Sequence, residues 1–163
     1  QRFMTTVLEI FSDGLLAAVA GIGFGAISNP PRMALKYCGL IAAFGHMTRY
    51  CMINLGGMHI VPASLAGAFV VGLLAIICAK RVKCPPETFA FPALLPMIPG
   101  IYAYKTIQAF LLALTASGEE EFNHFLYICQ SNGIVFFFVI IGMAVGVLIP
   151  IYIFKKISFS VTK

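Results

Sequence analysis

Charge is what this sequence most conspicuously lacks. Only 10% of its 163 residues are Asp, Glu, Lys or Arg, against about a quarter in soluble domains. A water-soluble enzyme, a nucleic-acid binder and a disordered regulator are all excluded by that scarcity. No Arg- or Lys-rich run is long enough to grip a phosphate backbone, so nucleic acid is not a partner. The five cysteines, Cys38, Cys51, Cys78, Cys84 and Cys129, show neither a CxxC nor a Cys/His ligand spacing. Their odd number argues against a complete disulfide framework, and they read as small apolar packing residues. No Ser/His/Asp, zinc or P-loop constellation is present, so an enzyme, a metal site and a cofactor are not expected. Internal repeats, low-complexity tracts and an extramembrane domain are missing too. The first apolar stretch holds Glu9 and Asp13 and has no small-residue cleavage site, which makes it a retained helix rather than a signal peptide. The sequence opens at Gln1 rather than Met, and a few residues are expected upstream.

What is abundant is hydrocarbon. The chain is 60% hydrophobic with a mean hydropathy of +0.95, which defines an integral membrane protein. At about 20 residues per helical span the length allows five or six crossings. Five apolar segments are expected as transmembrane helices of a single all-α domain, at approximately 6–28, 33–55, 60–79, 88–116 and 125–154. The first stops at Asn29-Pro30-Pro31, because prolines cannot supply helical N–H groups. The second ends at Gly56-Gly57, and the third is closed by Lys80-Arg81-Val82-Lys83. At 1.5 Å rise per residue the last two segments are each about 40 Å long, against a hydrocarbon core of about 30 Å. Tilt absorbs the excess in the fifth. The fourth contains Pro92, Pro96, Pro99 and Gly100 and is expected to be broken there.

Basic residues fall in alternate loops: Arg32 and Lys36, then Lys80, Arg81 and Lys83, then Lys155, Lys156 and Lys163. The opposite loops carry Gly56-Gly57-Met58-His59 and the acidic Glu119–Glu121 run. Five spans put every basic cluster on one side, and the positive-inside rule makes that side cytoplasmic, with the N-terminus outside and the C-terminus inside. Glycines such as Gly21, Gly23, Gly25, Gly142 and Gly146 mark faces where helices approach closely.

Few polar groups lie inside these spans. Freed carbonyls at the Pro96–Gly100 break must face protein or a water-filled cavity. A half-helix restarting near Pro99-Gly100 offers N–H groups to an anion, with Tyr102 and Lys105 following on it; a kinked structural helix with a snorkelling lysine is the alternative. His46 and Arg49 share a face of the second helix and read as an anion-binding or proton-linked pair, or as an interfacial arginine beside a structural histidine. The arginine needs a carboxylate, carbonyls or water. Asp13 lies one to two turns below the outer surface and is a candidate to carry protons or pair with Arg49. Glu9 reads as interfacial. Gln130, Ser131 and Asn132 could line the same cavity or pack helices, and His59, His124 and Glu119–Glu121 read as solvated loop residues.

Gly23-Phe24-Gly25-Ala26-Ile27-Ser28-Asn29-Pro30, Gly45-His46-Met47-Thr48-Arg49 and Pro96-Met97-Ile98-Pro99-Gly100-Ile101 together resemble the threonine/serine exporter family. The likeness covers roughly Val7 to Lys155 and is greatest to the small, one-module YjjB-type membrane subunit. It implies a bacterial inner-membrane protein that works with a larger YjjP-type partner subunit as a homo- or hetero-oligomer. The implied activity is secondary export of threonine and serine, or of a dicarboxylate such as succinate. Asn29, His46, Arg49, Pro96, Pro99 and Gly100 match motif positions, and Asp13 and His46 are the candidates for proton coupling. The competing expectation is a non-transporting scaffold or assembly subunit whose polar residues only specify packing.

Overall fold

The computed structural model describes residues 2–28 and 30–154, so Asn29, Lys155, Lys156 and Lys163 lie outside the described residues. Its elements are α1 (Arg2–Ile27), α2 (Arg32–Asn54), α3 (Ile60–Val82), α4 (Glu87–Leu94), a 3-10 turn (Leu95–Met97), α5 (Gly100–Leu114) and α6 (Glu119–Ile153). No strand occurs among the described residues.

Local chemistry sets these boundaries. Pro31 precedes α2 in an extended conformation (φ −50°, ψ 138°), and its carbonyl accepts the N–H of Ala34 at 2.7 Å. At the far end Gly57 takes φ +62°, where a side chain would be strained, and lets Met58 N–H reach the Met52 carbonyl at 3.0 Å. The imidazole of His59 accepts the N–H of Val61 and caps α3, so this histidine has a structural task at a helix start. α3 runs three residues past its expected end, because Lys80 and Arg81 suit the negative end of the helix dipole. α6 begins six residues early for the complementary reason. Glu119, Glu120 and Glu121 form its first turn, and the Glu121 carboxylate reaches back to accept the N–H of Ser117 at 3.1 Å. The acidic run is helix, not loop.

The chain forms two compact units. The first comprises α1 to α4, the 3-10 turn, and α6 from Gly142 onward. At its centre α2 packs against α1, α3 and α4. Its core is made of small residues, with Ala34, Cys38, Ile41 and Ala42 of α2 and Ala63, Ala68, Val71 and Ala75 of α3 fully or almost fully buried, together with Phe89 and Met97. Phe89 meets Tyr37 edge-on at 6.4 Å. α2 and α3 approach so closely that a Cβ built on Gly67 falls 2.8 Å from the Gly45 carbonyl oxygen. The second unit, Ile98–Ile141, contains α5 and the first part of α6. Within it, Gly133 faces Thr106, whose hydroxyl donates to the Tyr102 carbonyl at 2.7 Å.

Among the described residues, α1 (over Thr6–Ile27), α3 and α6 are long and apolar enough to cross a membrane. α4 with its turn and α5 make a fourth candidate if taken as one interrupted span. α2 is 23 residues long but carries Arg32, Lys36, His46 and Arg49, which dilute its hydropathy. Neighbouring helices cover much of it, and a helix covered by protein needs less apolar surface than one facing lipid. The outward residues of α1 are the opposite: Leu8, Phe11, Leu15, Leu16 and Val19 are all more than half exposed. That belt suits lipid. The molecule is a multi-pass helical membrane protein.

Candidate functional site

The helical period brings the polar side chains of the first unit into register. Glu9 and Asp13 are one turn apart on α1, and His46 and Tyr50 are one turn apart on α2. The two helices face each other along these rows and form two rungs. Asp13 Oδ2 lies 3.1 Å from His46 Nδ1, and the Tyr50 hydroxyl donates to Glu9 Oε2 at 2.8 Å. Against an ionised Asp13, Nδ1 carries a proton and donates it. His46 is 8% exposed, and its Nε2 is buried without a hydrogen-bond partner. Asp13 is half-buried, so the carboxylate keeps some access to its surroundings while the imidazole has almost none.

Arg49 stands one turn from His46 on α2. Its guanidinium donates through Nη1 to the carbonyl of Met97 in the 3-10 turn. Asp13 is close enough to act on that charge through space, yet its direct bond is to His46. The arginine therefore takes a carbonyl and the acid takes the imidazole. Pro96 and Pro99 have no N–H to offer the carbonyls of Pro92 and Leu95, so regular helix bonding fails between Leu94 and Gly100. Met97 ends the 3-10 turn at this break, and its carbonyl takes the guanidinium rather than a continuing helix. Met97 is fully buried in the same place, its side chain directed at Gly45 and Gly67. Ser64, one turn before Gly67 on α3, is fully buried with its hydroxyl unpartnered.

The structure thus gathers Asp13, His46 and Arg49 with the turn that contains the half-buried Pro96. Pro99, Gly100, Tyr102 and Lys105 belong to the second unit. There Pro99 is buried, Tyr102 half-buried, and Gly100 and Lys105 exposed. The N–H groups of Gly100 and Tyr102 are engaged by the carbonyls of Ile98 and Pro99, at 2.8 and 3.0 Å. The start of α5 is therefore less open to an anion than the sequence led us to expect. Gln130 is exposed and Asn132 is bonded to the Ile128 carbonyl within its own helix. Asn29 lies outside the described residues. Sequence reasoning missed Tyr50, which shares a face with His46 and is found by helical spacing. It expected freed carbonyls at the Pro96–Gly100 break and carbonyls as partners of Arg49, but not that the two meet at Met97. No group of three or more His, Cys, Asp or Glu side chains able to hold a metal occurs among the described residues.

A carboxylate–imidazole pair and a half-buried guanidinium among membrane helices are means of handling protons and anions where water is scarce. The class is that of polytopic membrane proteins with an internal polar site. The chain belongs to the threonine/serine exporter family: residues 13–153 match the family described as "Threonine/Serine exporter, ThrE". It is also similar to an uncharacterized protein of Haemophilus influenzae, with 39% identity over 101 residues, or 62% of this chain and 34% of that protein. The matched stretch thus spans about a third of that curated relative's length. No solved structure matches. The family is one of transporters, not enzymes.

Proposed function

We propose that this chain is a membrane subunit of a secondary exporter for small carboxylate-bearing metabolites, either threonine and serine or a dicarboxylate such as succinate. It works with a larger subunit in the bacterial inner membrane, couples export to an ion or proton gradient, and performs no catalysis. The observation that carries the reading is Arg49. Its guanidinium sits inside the helix bundle on a neutral carbonyl, one turn from the Asp13–His46 pair. A guanidinium with four further N–H donors can receive a carboxylate, and an acid–imidazole pair can carry a proton beside it. Family membership supports the substrate class. The size of the Haemophilus influenzae relative, about three times the matched stretch, supports a larger counterpart. In this reading α2 is a span screened by α1, α3 and α4, and α4 with α5 is one broken span. That makes five, with the Arg32/Lys36 and Lys80/Arg81/Lys83 loops cytoplasmic, the N-terminus outside and the C-terminus inside.

Radiolabelled serine, threonine and succinate efflux from proteoliposomes, with and without the partner subunit, tests the proposal. Arg49→Ala is expected to reduce efflux at least about tenfold, the worth of one hydrogen bond to a charged group. Efflux unchanged by Arg49→Ala and Asp13→Asn would sink the mechanism. The scaffold reading draws on the same two rungs, since Asp13–His46 and Glu9–Tyr50 tie α1 to α2. If it holds, those substitutions dissolve the complex rather than leave it intact and inactive.

A further inference from the structure

The 3-10 turn Leu95–Met97 has few backbone bonds to hold it. Pro96 and Pro99 withhold the N–H groups that the carbonyls of Pro92 and Leu95 would receive in a continuous helix. It packs against α1, and two further tertiary contacts belong to Met97. The side chain lies in a notch beside two glycines. A Cβ on Gly67 would lie 2.7 Å from Met97 Cε, and one on Gly45 would lie 3.4 Å from Met97 Sδ. The carbonyl of the same residue is held by Arg49. One residue is thus plugged into α2 and α3 by its side chain and clasped to α2 by its backbone.

The clasp is the weaker kind available to an arginine. The neutral Met97 carbonyl takes one hydrogen bond, from Nη1, whereas a carboxylate accepts two in parallel from the guanidinium fork and adds the attraction of its opposite charge. Arg49 is half-buried rather than sealed, so its remaining donors are not all enclosed. We propose that the Met97 carbonyl stands in for a substrate carboxylate on Arg49. A small carboxylate that reaches Arg49 displaces it, and the 3-10 turn is then released from its glycine notch. Substrate binding and opening of the turn are one exchange of partners at one guanidinium. The inference deepens the transport reading above and rests on it.

Labelling of Met97→Cys tests it. The five native cysteines are replaced by alanine, and the protein is kept with its partner in membrane vesicles that are first shown to exchange radiolabelled serine or succinate. Reaction with a membrane-permeant maleimide should be slow without substrate and accelerate severalfold with serine or succinate. Serinamide, which lacks the carboxylate, should leave it slow. Adding Arg49→Gln should make labelling fast with or without substrate. A second variant guards against a misfolded cysteine protein. Met97→Ala empties the notch and leaves the carbonyl, so the turn is released more easily and half-saturating substrate should fall at least about tenfold, the packing of the plug no longer opposing release. Labelling indifferent to substrate in exchanging vesicles, or unchanged half-saturation in Met97→Ala, overturns the inference and leaves the transport reading standing. Wild-type vesicles that exchange no carboxylate overturn the transport reading, and the inference with it.

Discussion

Replacing Gly67 with alanine probes the helix approach on which the site is built. The added methyl carbon would lie 2.7 Å from Met97 Cε, 2.8 Å from the Gly45 carbonyl oxygen and 3.3 Å from Arg49 Cβ. The methionine end can swing aside. The carbonyl is backbone and cannot, so α2 and α3 must separate by several tenths of an ångström, since comfortable carbon contacts start near 3.5 Å. Overpacking of this kind costs about 1–3 kcal/mol, and the gain from exchanging glycine for alanine in a helix returns at most about 1 kcal/mol. Gly23→Ala is the matched control, because nothing lies within 4 Å of its built Cβ; it should gain the helical term alone. The pair should therefore differ by about 2 kcal/mol in favour of Gly23→Ala. Thermal midpoints of the detergent-extracted protein, followed by fluorescence-detected gel filtration, measure the gap. A Gly67→Ala protein as stable as Gly23→Ala would show that α2 and α3 do not meet at these glycines.

Tyr50→Phe removes the exposed hydroxyl bond to Glu9 but leaves the Asp13–His46 rung. It should lower the thermal midpoint only slightly, by about 0.5–1 kcal/mol equivalent, and leave transport in place; a loss of transport with the complex intact would give Glu9 and Tyr50 a direct role. Glu121→Ala takes away the acceptor for the Ser117 N–H at the start of α6. Amide exchange in the first turn of that helix should rise, by the ~0.5–2 kcal/mol of a lost cap, while exchange near Val139 stays unchanged.

The helices were largely legible because their limits are local chemistry. Pro30-Pro31 and Gly56-Gly57 end α1 and α2 close to where those residues predict. The misjudged ends, at Lys80–Val82 and Glu119–Phe125, are those where charged residues extend a helix beyond the apolar stretch, which a hydropathy reading cuts short. The site was legible as a set of residue types and illegible as a set of pairs. Asp13, His46 and Arg49 each stood out as polar groups inside apolar segments. Which of them meet depends on the rotation and register of α1 against α2, and a difference of one residue moves a side chain by about 100° around the helix. Arg49 was expected to require a carboxylate, carbonyls or water. That it takes the Met97 carbonyl follows from where the 3-10 turn lies against α2, a tertiary fact that neither sequence motif contains.

The division of partners itself is open to test. A direct Asp13–Arg49 pair would be the strongest bond available here, and a half-buried pair of that kind would leave an incoming carboxylate little to compete for. His46 prevents it by engaging Asp13 at 3.1 Å, which leaves Arg49 on a neutral acceptor. His46→Leu fills most of the volume but frees the carboxylate, whose charge already acts on Arg49. Substrate exchange should then fall at least about tenfold with the complex still assembled, since a guanidinium–carboxylate ion pair must now be displaced. Adding Asp13→Asn removes the competing charge, and the double variant should recover exchange relative to His46→Leu alone, a non-additivity diagnostic of coupled groups. If the histidine matters only as a proton carrier, the double variant keeps gradient-independent exchange no better than the single one. Exchange equal in the two variants would refute the idea that the imidazole keeps the arginine available.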